Sequence, residues 1–153
     1  MKKRVITYGT FDMFHIGHLR LLRRLADMGD ELIVGVSTDE FSREKNKTVF
    51  IPFEHRAEIV ESIKFVDRVI PEYSWEQKIA DIEKFDVDIF AMGDDWRGTF
   101  DYLKPYCEVV YLERTKNIST SELKRNLESA LSMEKKDFTN ALKILETLNR
   151  EFE

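Results

Sequence analysis

Two imidazoles, His15 and His18, stand three residues apart in the stretch Thr7-Tyr8-Gly9-Thr10-Phe11-Asp12-Met13-Phe14-His15-Ile16-Gly17-His18, where a strand pattern gives way to a helix pattern. Val5-Ile6-Thr7-Tyr8 is a β-branched and aromatic run of the kind that forms a buried strand, and Gly9 breaks it. From Ile16 onward Leu19, Leu22, Leu25 and Ala26 recur at helical spacing, Arg20, Arg23 and Arg24 take the other side, and Gly29-Asp30 supplies a stop. The histidines are therefore expected on the first turn of a helix, one turn apart on one face. The first amides of a helix lack intrahelical partners and carry the positive end of the dipole, so this entrance favours phosphate oxygens. Gly17 lets a ligand approach the backbone closely. Two blander readings compete. A metal pair would have only His55 and Cys107 as further soft ligands, where zinc takes three or four. Packing alone gives no reason for the small-residue turn Gly9-Thr10-Phe11-Asp12 to meet two polar rings.

The elements that must position this pair follow from the same pattern. Glu31–Ser37 reads as a second buried strand, and strand, helix, strand implies a right-handed parallel crossover. Residues 38–48 read as a polar connection carrying Lys45 and Lys47, which in extended chain point the same way. Pro52 opens a helix to about Phe65, and Arg68-Val69-Ile70 is a short strand ended by Pro71. Ser74-Trp75-Glu76-Gln77 has the form of a capping box starting a helix to about Phe85. Asp88–Met92 and Glu108–Leu112 are further strands. The expected fold class is α/β, a Rossmann-like parallel sheet with helices on both faces and a ligand crevice at the strands' carboxyl ends.

A second candidate phosphate element is Ser119-Thr120-Ser121-Glu122, a hydroxyl cluster ahead of Leu123, Leu127 and Leu131 at helical spacing. Ser119 with Glu122 fits a capping box, and a well-capped helix is the plain alternative. Arg114 and Lys116 just upstream add positive charge to that entrance. Solvated surface is the default for Lys45 and Lys47, and core or rim the default for Trp75 and Trp96, which at strand ends can also wall a pocket.

Gly-Thr-Phe-Asp followed by His-Ile-Gly-His resembles the signature of the HxGH nucleotidyltransferase superfamily. Met92-Gly93-Asp94-Asp95-Trp96, Trp75-Glu76-Gln77-Lys78 and Arg114 to Ser121 are similar, in the same order, to segments of its cytidylyltransferase family, in the branch that uses glycerol 3-phosphate. The likeness covers about residues 3–128. It implies transfer of CMP from CTP to sn-glycerol 3-phosphate, with CDP-glycerol and pyrophosphate as products and magnesium accompanying the triphosphate, not held by the protein. It implies catalytic roles for His15, His18, Lys45 and Arg114. It places CTP against Gly9, Thr10, Phe11, Asp12, Ile16, Gly17, Lys47, Met92, Asp95, Thr115, Lys116, Asn117, Ile118, Ser119, Thr120 and Ser121, with Asp12 orienting the histidine turn. The acceptor would meet Lys45, Arg56, Trp75 and Lys78. The family also tends to form homodimers. Lys116-Asn117 stands where the family usually has Glu-Gly, and Lys64 where it has arginine, which leaves choline phosphate or ethanolamine phosphate open as acceptors. An adenylyltransferase of the same superfamily and a non-catalytic nucleotide sensor are the rival classes.

The chain's 153 residues suit one domain, and 42% apolar with 35% charged residues is ordinary for a globular protein. A net charge of −5 argues against broad nucleic-acid binding. The basic start Met1-Lys2-Lys3-Arg4 is followed by too short an apolar stretch for a secretory leader, and no run approaches a membrane span, so a cytoplasmic protein is expected. Cys107, the one cysteine, is expected to be a small buried hydrophobe. Domain limits are drawn at 1–131 for the nucleotidyltransferase domain and 132–153 for a helical extension. In that extension Phe138, Leu142, Leu145, Leu148 and Phe152 trace an apolar stripe expected to pack on the domain or on a dimer partner. Its polar face mixes both charge signs, which disfavours a membrane surface.

Overall fold

The computed structural model describes residues 1–116 and 118–151, the side chains of residues 133, 134 and 147–151 excepted. The chain divides into two compact units, Met1–Asn117 and Ile118–Glu153.

The first unit is built on a five-stranded sheet: β1 (Arg4–Gly9), β2 (Glu31–Ser37), β3 (Arg68–Glu72), β4 (Ile89–Gly93) and β5 (Glu108–Leu112). Its spatial order is β3-β2-β1-β4-β5 and every pairing is parallel. The helices are α1 (Ile16–Ala26), α2 (Asp39–Glu44), α3 (Phe53–Glu61) and α4 (Gln77–Phe85), with short 3-10 turns at Asp94–Trp96 and Asp101–Leu103. Strand side chains alternate between two cores. Val5, Leu32, Val34, Val36, Ile89 and Ala91 pack with Leu22 and Leu25 of α1 and Val60 of α3. Ile6, Tyr8, Ile33, Phe90 and Met92 pack with Ile82 of α4, Phe100 and Leu103. Strands buried on both faces explain the near-continuous apolar runs. The order reverses at β1, so the switch-point crevice lies outside the carboxyl ends of β1 and β4. The histidine turn leaves one of those ends and Asp94-Asp95-Trp96 the other.

Several boundaries depart from the sequence reading. The polar connection after β2 contains α2, capped by the Thr38 hydroxyl, which accepts from Phe41 N at 3.2 Å. Lys45 is its C-cap and Asn46 turns left-handed at φ 55°, so the two lysines are not on extended chain. Helix α3 stops at Glu61, short of Phe65. Strand β3 runs through Pro71 to Glu72, which the sheet tolerates because β3 is an edge and needs no second donor there. Helix α4 starts at Gln77 without a Ser74 side-chain cap. Half of the expected box survives as Gln77 Oε1 accepting from Ser74 N at 3.1 Å.

The second unit contains α5 (Thr120–Glu151). The boundary expected between 131 and 132 falls inside this continuous helix, because good helix formers run through it. Ser119 caps it, its Oγ accepting from Glu122 N at 3.1 Å. Phe138, Leu142 and Leu145 of the apolar stripe are exposed, as are Leu127 and Leu131 ahead of it; Leu148 and Phe152 lie outside the described side chains. Among the described residues no helix is long and apolar enough to cross a membrane. Cys107 is half-buried beside the second core, and burial pushes its thiol pKa up.

Candidate active site

Between β1 and α1 the backbone turns through left-handed Phe11 (φ 52°) and Met13 (φ 49°), two non-glycine residues in a conformation that side chains disfavour. Gly9 makes the turn possible: a Cβ there would lie 2.8 Å from the Phe11 ring. His15 is the N-cap of α1 and His18 its third residue, and together they form a reciprocal capping box built from imidazoles. His15 Nδ1 accepts from Gly17 N at 3.0 Å, and His18 Nδ1 accepts from His15 N at 3.2 Å. A neutral ring that accepts at Nδ1 carries its proton on Nε2, so both rings keep Nε2–H as their donor. The rings stack with centroids 3.9 Å apart, and His18 also meets Phe11 and Phe14. Burial lowers the His15 pKa; burial and then the His15 charge bring His18 down to about 4. Both are neutral donors near pH 7. At this entrance the amides of His15 and Gly17 are satisfied by the two rings.

Asp12 is buried, and its carboxylate accepts from Phe50 N at 2.9 Å and from Ile51 N at 3.0 Å. It therefore ties the histidine turn to the segment after Lys47. Arg56 departs from the expected acceptor contact. Its guanidinium is fully buried and donates to Ile51 O at 2.8 Å, Thr10 O at 2.6 Å and Asp39 Oδ1 at 2.8 Å. A rigid fork spent on three scaffold acceptors has no face for an acceptor molecule. Met92 is likewise core: its sulfur accepts from the buried Thr7 hydroxyl at 3.9 Å. Phe11 is buried in the first core, while Gly9, Thr10 and Gly17 are half-buried and Ile16 is exposed on the turn.

At the carboxyl ends of β2 and β3 the structure assembles a charged cluster. Glu72 Oε2 accepts from Lys78 Nζ at 2.8 Å, and Oε1 accepts from Ser37 Oγ at 2.7 Å and Lys45 Nζ at 3.4 Å. Lys45 also donates to Ser37 Oγ at 2.9 Å. Aromatic faces wall the lysines: Lys45 lies 4.3 Å from the Phe41 ring centroid and 5.4 Å from that of Trp75, and Lys78 lies 4.5 Å from Tyr8 and 5.0 Å from Trp75. Burial lowers the Lys45 pKa, Glu72 opposes that, and Lys47 and Lys78 reinforce it. Lys47 sits 5.8 Å from the Trp96 ring, which itself packs on Trp75. Lys45 and Lys78 are thus brought together, but the Lys78 side chain is only 1% exposed, sealed against Glu72. Glu72, the residue that joins them, was absent from the sequence reading. The available signal was a carboxylate at the end of an apolar strand.

Beyond β4 and β5, Arg114 pairs with Asp95 at 2.8 Å, both side chains being exposed. Thr115 is half-buried and Lys116 exposed; Asn117 lies outside the described residues. In the second unit Ile118, Ser119 and Thr120 are half-buried and Ser121 exposed. Among the described residues no group of three or more His, Cys, Asp and Glu side chains is arranged to hold a metal ion.

A family model described as cytidylyltransferase-like matches residues 6–126. The chain is 58% identical over 127 residues to a glycerol-3-phosphate cytidylyltransferase of Bacillus spizizenii, covering 83% of this chain and 98% of that one. It is 58% identical over 125 residues to the enzyme of that name from Staphylococcus aureus, covering 82% and 95%. Among solved structures it resembles a lipopolysaccharide core biosynthesis protein from Thermoplasma volcanium, with a TM-score of 0.66 and 24% identity over 76% of this chain and 100% of that one, a likeness of fold.

Proposed function

The chain belongs to the cytidylyltransferase-like family, and from that premise we propose that it transfers CMP from CTP to sn-glycerol 3-phosphate, giving CDP-glycerol and pyrophosphate. The observation that carries this reading is the likeness to glycerol-3-phosphate cytidylyltransferases over nearly their full length.

A phosphate oxygen of the acceptor attacks the α-phosphorus of CTP in line, the bond from that phosphorus to the β-phosphate's bridging oxygen breaks, and pyrophosphate leaves. Such a displacement needs positioning and charge stabilisation more than a protein nucleophile. His15 and His18 are preorganised for it, since their Nδ1 atoms are held by the backbone and their Nε2–H groups donate to phosphate oxygens as charge moves to the leaving group. Because these rings are neutral, the positive charge comes from Lys45, Lys47 and Arg114. The turn at Thr10 and Phe11 borders the nucleotide. Trp75 walls the acceptor beside Lys45. Among the described residues no carboxylate cluster would hold magnesium, so it would arrive on the nucleotide and supply charge neutralisation there. The protein works in the cytoplasm as a homodimer, the α5 stripe meeting a partner surface; truncation after Ser132 with sizing in solution tests that part.

The decisive assay mixes protein, magnesium, each nucleoside triphosphate, and glycerol 3-phosphate, choline phosphate or ethanolamine phosphate, and follows pyrophosphate release. Release with CTP and glycerol 3-phosphate is expected. Release that needs ATP, or one of the amino-alcohol phosphates, contradicts the reading.

A further inference from the structure

Glu72 closes β3 with its side chain 3% exposed, where a lone carboxylate would be costly to bury. It is compensated twice over. Lys78, sealed at 1% exposure, holds Oε2 at 2.8 Å, while Lys45, at 8% exposure, meets Oε1 at the longer distance of 3.4 Å. Two ammonium groups against one carboxylate leave the cluster positive, inside walls formed by Tyr8, Phe41, Trp75 and Phe100. The tightly held lysine fixes the carboxylate. Lys45, the more exposed of the two, also donates to Ser37 Oγ at 2.9 Å.

Resting on the reading of Lys45 as an acceptor contact, we propose that Glu72 is a positioning residue for the acceptor end of the site: with Ser37 it holds the Lys45 ammonium in place, at a distance long enough for an incoming phosphate to take it over. Lys78 acts through Glu72, orienting the carboxylate, rather than by touching substrate. The groups facing Lys45 are Glu72 from β3, Lys78 from α4, Ser37 from β2, Lys47 from its own segment, and the rings of Phe41 and Trp75. Burial and both neighbouring lysines favour the neutral amine at Lys45, and Glu72 opposes them.

The test is the titration of Lys45 by nuclear magnetic resonance in protein labelled at lysine Cε, its resonance assigned with K45R, in the wild type, Glu72→Gln and Lys78→Met. In Glu72→Gln the Lys45 midpoint falls by about one pH unit or more. In Lys78→Met, where one carboxylate faces one ammonium and the fold keeps its charge balance, the midpoint rises. An unchanged midpoint in either folded variant overturns the proposal, and Lys78→Met decides alone if Glu72→Gln does not fold. In kinetics, Glu72→Gln raises KM for glycerol 3-phosphate increasingly with pH, about tenfold per unit beyond the Lys45 midpoint. A fall in kcat that is uniform across pH with KM unmoved marks a merely structural role and also overturns it. The resonance measurement needs no turnover, so a wild-type protein that releases no pyrophosphate contradicts the functional reading alone.

Discussion

The rings of His15 and His18 stack at 3.9 Å with an interplanar angle of 24°, each accepting a backbone hydrogen bond at Nδ1. One pair of side chains thereby does two jobs. It starts helix α1, and it fixes where two Nε2–H donors point. Capping and catalysis draw on different nitrogens of the same ring, so substitutions can separate them.

Replacing either histidine with alanine lowers turnover by about two orders of magnitude or more, as the loss of a preorganised donor does, and costs about 1 kcal/mol of stability through the lost cap. His15→Asn restores the cap, asparagine being a favoured N-cap residue, and leaves turnover low. Steady-state kinetics with thermal melts check both halves. An active His15→Asn variant would contradict the assignment.

The depressed His18 pKa has a signed consequence for stability. The unfolded chain takes up a proton near 6.5, whereas folded His18 resists until about 4, so its contribution is full above 6.5 and is lost as pH falls toward 4. Urea midpoints of the wild type therefore drop across that window more than those of His18→Gln. Ring nitrogen shifts measured at pH 7 show both histidines neutral with the proton on Nε2.

Arg56 and Asp12 pin the histidine turn to the segment that follows the lysines. Arg56→Met leaves Thr10 O, Ile51 O and Asp39 without their buried partner and destabilises the protein by about 3 kcal/mol. Chemical denaturation measures it. If Arg56 instead served the acceptor directly, the variant would keep its stability and lose only acceptor affinity.

Gly35 of β2 lies against the Tyr8 ring, which a Cβ at that position would overlap. Tyr8 also floors Lys78, and its hydroxyl donates to Asp81 at 2.8 Å. Gly35→Ala overpacks this wall and costs about 1–3 kcal/mol, with a raised KM for the acceptor, read by melts and acceptor titrations.

Much of this was legible from residue types. β2 and β5 were read with their observed limits because fully buried strands leave unbroken apolar runs bounded by polar turns. Helix α2 was hidden because its six residues are too few for periodicity, although Thr38 followed by Asp39 and Glu40 is a helix-start signal. Pro71 reads as a stop because a sequence does not say which strand is the edge. The histidine pair was found, yet its capping role was missed because imidazole is an unusual cap. Arg56 and Glu72 share one difficulty: an ionised side chain reads as surface until its buried partners are brought from distant strands and loops.

The central claim is that an oxygen of the acceptor's phosphate becomes bonded to the α-phosphorus of CTP, and oxygen tracing tests it most directly. Glycerol 3-phosphate carrying 18O in its three terminal phosphate oxygens is turned over with unlabelled CTP, and the products are examined by phosphorus resonance. Attack at the α-phosphorus places one 18O in the bridge of CDP-glycerol, two at non-bridging positions of the glycerol-side phosphorus, and none in pyrophosphate. Label missing from the bridge would contradict it.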